Sequence, residues 1–369
     1  MSVFILGVES LKIGIIGIAS SGKTTLFNAL TGGEANTGGY GASQVNVGIG
    51  RVADPRVDAM SEMFQPKKTT YATVEFADVP GRGEGRDGAS TSAEESIPQA
   101  LEGADALLLV LRAFDDPGVP HPRQSVDPAR DLGDMRLDLI LRDLSVVERR
   151  VERLKKSLAK KKDPAEAAEF EVLEKIQTSL EEGVSILAQD LPEKVQTLLR
   201  GYGFLSAKPV LAVLNVGEDK IGESAGALGV EAAEGEAPPV VVGAQLEEEL
   251  AQLDEEEQAV FLADYGLERP ARDRVIQASF ALLGLECFLT VGEDEVRAWP
   301  IRRGTSALKA AGSIHSDLER GFIRAEVIGY DDFVAAGSMA AARDKGVLRI
   351  EGKDYEVQDG EIMHVRFNV

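Results

Sequence analysis

Residues 12–31 read KIGIIGIASSGKTTLFNALT, and the fold turns on how they are parsed. Lys12 to Ile16 is an apolar run of strand length, and a helix opens at Thr24 and runs through Leu30. Between them, Gly17-Ile18-Ala19-Ser20-Ser21-Gly22-Lys23-Thr24 matches G-x-x-x-x-G-K-[ST], in the strand-then-helix setting that pattern requires. The glycines let the backbone curl until consecutive N–H groups face a polyphosphate. The helix that follows adds the positive end of its dipole. Lys23 is long enough to reach β- and γ-phosphates, and the Thr24 hydroxyl is a ligand for Mg²⁺.

Downstream segments extend this pattern. Ala72 to Asp78 (ATVEFAD) alternates and stops at Pro-Gly, so Asp78-Val79-Pro80-Gly81 closes a strand. In P-loop switch proteins a D-x-x-G there supplies an aspartate that holds Mg²⁺ through water and a glycine whose N–H senses the γ-phosphate. Ala106 to Leu111 (ALLLVL) is uninterrupted and apolar, as in a buried parallel strand. Pro209 to Asn215 is another such run and ends in Asn215-Val216-Gly217-Glu218-Asp219. Guanine-specific switch proteins carry N-K-x-D at this point, where the aspartate accepts two N–H groups of guanine. Here valine stands for the lysine and glutamate for the aspartate, which makes adenine a candidate base. Val240 to Leu246 (VVVGAQL) resembles the last base-binding loop and puts the Gly243-Ala244 backbone near the base.

Alternating strand and helix signals predict an α/β, doubly wound sheet. That grammar is interrupted after about residue 130. Leu137, Leu141, Leu144, Val147, Val151, Leu154 and Leu158 are spaced 4, 3, 3, 4, 3, 4, close to a heptad seam. Asp163-Pro164 breaks the helix, and Phe170, Leu173, Ile176, Leu180, Val184 and Leu187 continue the spacing. The expectation is an antiparallel coiled-coil hairpin inserted into the α/β domain. Glu247 to Leu262 reads as a single acidic amphipathic helix. From about Leu283, short strands and Gly-containing turns predict a compact α+β module. The expected organisation is thus 1–130 and 202–282 for the nucleotide-binding domain, 131–201 for the insertion and 283–369 for the final module.

Composition narrows the function. Forty basic and 62 acidic residues leave a net charge of −22, which argues against coating nucleic acid by bulk charge. The single cysteine, Cys287, rules out an internal disulfide framework and a multi-thiolate zinc site. No apolar run reaches the ~18 residues of a membrane span. The opening MSVFILGVES lacks the basic and small-residue regions of a secretory signal, so a cytoplasmic protein is expected. Against this acidic background, Arg149, Arg150, Arg153, Lys155, Lys156 and Lys160 to Lys162 form a basic stripe on the hairpin. It reads either as a solvated helix face or as a contact for RNA phosphates. Arg297, Arg302, Arg303 and Lys309 form a second basic cluster.

Together the P-loop, the N-x-x-E loop, the hairpin and the blocks EVRAWPIRRGTSALKAAGSIHSDLERGFIRAEV and GKDYEVQDGEIMHVRFNV resemble the YchF family, Obg-related P-loop proteins of the translation-factor class. The resemblance covers essentially the whole chain. It implies a final ubiquitin-like domain of the TGS type, preference for ATP over GTP, Mg²⁺ as cofactor, and a cytoplasmic switch that contacts ribosomes. Position by position it implies that Ser20, Ser21, Gly22, Lys23, Thr24 and Thr25 wrap the phosphates, that Thr24 binds Mg²⁺, and that Asn215, Val216 and Glu218 frame the base. The sequence also departs from the family. Ala42 falls where a switch threonine is expected, leaving Ser43 as the substitute metal ligand, and Arg82 follows Gly81 in place of an apolar residue. Arginine cannot act as a general base but can stabilise charge on a transferring phosphoryl group. The reading is therefore a slow NTPase switch, with a non-hydrolysing nucleotide sensor as the alternative.

Overall fold

The computed structural model describes residues 11–33, 45–79, 99–232 and 236–368. Ser43, Gly81 and Arg82 lie outside them. Along the chain the elements are β1 (Lys12–Gly17), α1 (Lys23–Thr31), β2 (Asn46–Arg51), α2 (Pro55–Phe64), β3 (Lys68–Thr70), β4 (Thr73–Asp78), α3 (Gln99–Glu102), β5 (Ala106–Arg112), α4 (Pro128–Leu158), α5 (Pro164–Glu181), α6 (Glu193–Leu199), β6 (Val210–Asn215), β7 (Val240–Val242), α7 (Ala244–Leu250), α8 (Glu255–Asp264) and α9 (Ala271–Leu282). The last part adds β8 (Leu285–Thr290), β9 (Glu295–Arg302), α10 (Ala307–Ile314), α11 (Ser316–Arg320), β10 (Phe322–Ile328), α12 (Tyr330–Ala336), α13 (Met339–Asp344), β11 (Arg349–Glu351) and β12 (Ile362–Phe367).

One six-stranded sheet has the order β2-β4-β1-β5-β6-β7. Its centre is parallel, with Ile15 opposite Leu108, Leu109 opposite Ala212, and Leu214 opposite Val241. Both faces of β5 and β6 are buried, which is why their sequences run apolar without alternation. The chain builds outward on one side of β1 and then crosses to β5. That reversal is a topological switch point, where ligands bind at the carboxyl ends of such strands.

The helical insertion forms as the chemistry of its ends dictates. Asp127 caps α4 by accepting from the Arg130 N–H at 3.0 Å, and Asp163 caps α5 by accepting from Ala165 and Glu166; each cap is followed by proline at the first helical position. Val147 and Leu154 of α4 pack with Leu173, Ile176 and Leu180 of α5. A bidentate Arg150–Glu169 pair, 2.7 and 2.9 Å, ties the two helices, and the Tyr202 hydroxyl donates to the same carboxylate. The seam differs from the expected one. Leu137, Leu141, Val184 and Leu187 are exposed, whereas Met135, Leu139 and Ile140 are buried, because α4 begins at Pro128 and its first turns pack on the α/β core.

Chain contacts define two compact units, Lys12–Gly48 with Phe76–Val275, and Ile49–Glu75 with the chain from Ile276 onward. The second unit holds a sheet of order β11-β10-β12-β8-β9-β3. Residues 49–75, expected with the nucleotide-binding domain, thus group with the C-terminal strands. The cause is β3, which pairs in parallel with β9 through Lys68–Glu295, Thr69–Val296 and Thr70–Arg297. Trp299 stacks on Phe288 at 6.3 Å and donates to the Thr290 hydroxyl at 2.9 Å, filling that unit's core. In the second basic cluster, Lys309 pairs with Glu319 at 2.7 Å, and Arg297 lies 3.8 Å over the Trp299 ring. The expected single helix at 247–262 is two helices, α7 and α8, separated where Asp254 starts a capping box with Glu257.

The two seam registers make different predictions. Leu173→Ala removes a fully buried side chain and should cost about 2–5 kcal/mol, read as a lower urea midpoint for loss of helical signal. Leu137→Ala, 47% exposed, should change stability by no more than about 0.5 kcal/mol and leave that midpoint nearly in place.

Candidate functional site

β1 delivers the chain to the switch point, and the backbone there has little freedom. A Cβ on Gly17 would stand 2.6 Å from the Val110 carbonyl oxygen. Gly22 has φ 89°, and a Cβ there would meet the Asn215 amide nitrogen at 2.2 Å. Ser20 takes φ 59° without being glycine, a left-handed conformation that turns the loop before the helix. The loop therefore curls as its sequence predicts, and α1 starts directly behind it at Lys23.

Lys23 is 7% exposed. Its ammonium donates to the Ile18 carbonyl of its own loop at 2.7 Å. Burial drives its pKa down to about 8, opposed by the nearby Asp78 charge. The Thr24 hydroxyl donates to Asp78 Oδ2 at 2.9 Å. Asn46 at the start of β2 donates to the same oxygen at 3.4 Å. Burial raises the Asp78 carboxyl, and the bonds from Thr24 and Asn46 and the charge of Lys23 offset this. Among the described residues, Asp78 Oδ1 and Ser21 Oγ are buried with no hydrogen-bond partner. Buried oxygen acceptors in native proteins are normally satisfied. Two that are not, beside a buried ammonium and a threonine hydroxyl, suit a ligand carrying phosphate oxygens and a hard cation with its water.

Asn215 does more than end a strand. Its amide donates to the Ser21 carbonyl at 3.0 Å, and its carbonyl accepts from the Ala244 N–H at 2.9 Å. One side chain thereby fastens the phosphate loop to the Gly243-Ala244 turn at the head of α7. Val216 is buried in the apolar core, and its N–H donates to the Val242 carbonyl at 2.9 Å. Glu218 is exposed at the start of a 3-10 turn, Glu218–Lys220. The structure thus brings together Gly17, Ser20 to Thr25, Asp78, Asn215 and Ala244. Sequence reasoning missed Asn46, which no motif singles out. His121 sits 3.3 Å from Asp131, a carboxylate that also pairs with Arg123 and Arg130.

A parallel sheet with a curled glycine loop, a buried lysine and a hydroxyl–aspartate pair at its switch point defines a P-loop nucleotide-binding protein of the GTPase class. A family model described as 50S ribosome-binding GTPase matches residues 12–139, and a YchF GTPase C-terminal model, described as a protein of unknown function, matches 285–368. The chain is 41% identical over 367 residues to the Ribosome-binding ATPase YchF of Bacillus subtilis (strain 168), covering 98% of this chain and 100% of that protein. It is 38% identical over 362 residues to the protein of the same name from Escherichia coli O157:H7, covering 97% and 99%. The structure of the Schizosaccharomyces pombe YchF GTPase superposes with a TM-score of 0.81 at 29% identity, covering 98% of this chain and 99% of that one. The chain belongs to the YchF family.

Asn215→Ala would leave the Ser21 carbonyl and the Ala244 N–H without their partner. Each buried orphan costs about 1–3 kcal/mol, so the nucleotide-free protein should lose about 2–6 kcal/mol of stability in thermal unfolding. Asn215→Asp keeps the acceptor for Ala244 and loses the donor to Ser21, and should fall between.

Proposed function

We propose that this chain is a nucleotide-dependent switch that binds ATP with Mg²⁺, takes GTP as a secondary substrate, hydrolyses the γ-phosphate slowly and associates with the ribosome. The observation that carries this is the cluster of Lys23, Thr24 and Asp78 with the unpartnered Ser21 and Asp78 oxygens. In this reading the backbone N–H groups from Ser20 to Thr25 cradle the phosphates. Lys23 exchanges the Ile18 carbonyl for phosphate oxygens. Thr24 and, through water, Asp78 would hold Mg²⁺, with Ser43 as its further ligand; the ion would neutralise charge on the phosphates. Gly81 supplies an N–H to the γ-phosphate, and Arg82 steadies charge on the transferring group. Catalysis is positioning and electrostatics, since nothing covalent is asked of the protein. Asn215 holds the loop in register, while Val216, Glu218, Gly243 and Ala244 border the base.

The relatives' name supports ribosome association. So does the charge of the hairpin tip, where Arg153, Lys155, Lys160, Lys161 and Lys162 are exposed in a chain of net −22. Exposed clustered cations are the electrostatic footprint of phosphate backbone contacts. The C-terminal module, of the TGS, ubiquitin-like type in this reading, offers a second contact. Among the described residues no helix is long and apolar enough to cross a membrane, in keeping with a cytoplasmic role.

The test is multiple-turnover phosphate release from ATP with and without ribosomes, against Lys23→Ala as the control. The expected outcome is slow release by the chain alone, raised by ribosomes and lost in Lys23→Ala. Release no faster than the control under either condition would replace the NTPase with the non-hydrolysing sensor.

A further inference from the structure

Asp78 is buried at the end of β4, but an aspartate carboxylate turns easily about its Cβ–Cγ bond. A group that is to hold a cation's water has to keep one orientation. The Thr24 hydroxyl, in the first turn of α1, donates to Asp78 Oδ2 at 2.9 Å. One donor fixes one oxygen and leaves the rest of the carboxylate able to swing about it. A second donor comes from a different element. The Asn46 amide nitrogen, on the first residue of β2, reaches the same oxygen at 3.4 Å. Two donors converging from α1 and β2 define the plane of the carboxylate. They thereby aim Oδ1, which is buried and without a hydrogen-bond partner among the described residues.

The packing of β2 keeps this second donor in place. β2 is the neighbour of β4 in its sheet, and the residue that opens β2 stands beside the one that closes β4. Two residues on, Gly48 lets the strand lie close against α1: a Cβ there would stand 2.8 Å from Cβ and Cγ2 of Thr31 and 3.0 Å from the Phe27 ring. The backbone that carries Asn46 is thus seated on the same helix that carries Thr24. The residue type matters too. An amide donates without bringing charge, whereas a lysine or arginine in its place would offset the negative charge that attracts a cation. We propose that Asn46 is a positioning residue for the cation-holding carboxylate: it keeps Asp78 in the orientation that receives Mg²⁺, and makes no contact with the nucleotide. This rests on the reading of Asp78 as the aspartate that holds the ion through water.

The experiment is calorimetric titration of the full chain with the non-hydrolysable ATP analogue AMP-PNP, in excess Mg²⁺ and again in EDTA, for the wild type, Asn46→Ala and Asp78→Asn. The quantity read is the ratio of the two affinities. Asn46→Ala should lower that ratio about tenfold, the low end of what a hydrogen bond to a charged group is worth, and leave the affinity in EDTA as in the wild type. Asp78→Asn keeps the shape of the side chain and removes its charge, and should lower the ratio at least as far. An equal loss in both media for Asn46→Ala is the mark of a structural role or of direct contact with the nucleotide, and overturns the proposal. A ratio within about twofold of wild type in Asn46→Ala, with Asp78→Asn lowering it, overturns it as well. A ratio unchanged in Asp78→Asn shows instead that Asp78 does not hold the ion, and the underlying reading falls with it.

Discussion

An ammonium stripped of water must find oxygen, and in the free protein Lys23 finds it on the Ile18 carbonyl, 2.7 Å away within its own loop. A neutral carbonyl is a poor substitute for a solvation shell. Asp78 lies close enough to be felt, yet burial still wins and carries the lysine down to about 8. The loop is therefore built around a cation that is under-compensated in the absence of ligand. Two further oxygens in the same space, Asp78 Oδ1 and Ser21 Oγ, are likewise unpartnered among the described residues. A polyphosphate with its counter-cation would satisfy all three at once. The glycines, the left-handed Ser20 and the packing of α1 are the means by which the chain keeps that space open.

The second constraint is that the phosphate loop cannot move alone. Asn215 joins the Ser21 carbonyl to the Ala244 N–H, and α1 is joined to α7 again by Asn28 donating to Glu248 at 2.8 Å. The same α7, with α8, carries an apolar cluster against which Ile221 and Tyr265 pack. The phosphate loop and the turn that ends at Ile221 thus share one set of supports. Asn46, where β2 begins, donates to Asp78 at 3.4 Å, so the start of β2 has a physical line to the carboxylate beside the phosphate loop. A switch needs such a line between the ligand's terminal phosphate and a segment that can change its contacts.

Much of this was legible in the sequence where the determinants are local. The strand–loop–helix of 12–31 is specified by glycines whose Cβ atoms would collide, and the α5 start by Asp163-Pro164. The buried strands β5 and β6 declare themselves by unbroken apolar runs. What was illegible is non-local. Lys68-Thr69-Thr70 has no hydrophobic pattern of its own, so its pairing with β9 across more than two hundred residues leaves no trace in a short window. The hairpin was legible as a hairpin but not in its register, because Leu137 and Leu141 continue the heptad spacing while the core face is set by Met135, Leu139 and Ile140. At the site, the motif residues were found and their helpers were not. Asn46 matters only through the partner that folding brings to it.

The most direct test of the account is the proton balance of nucleotide binding near pH 8. In the free protein Lys23 is about half neutral there; a bound polyphosphate favours the ammonium, so binding must take up protons and affinity must fall as pH rises above 8. Calorimetric titration with ATP and Mg²⁺ in two buffers of different ionisation enthalpy reads this directly. The account predicts heats that differ between the buffers by a net proton uptake that vanishes in Lys23→Ala. Equal heats in both buffers for the wild type, with tight binding, would show that the Lys23 ammonium is not what meets the phosphates.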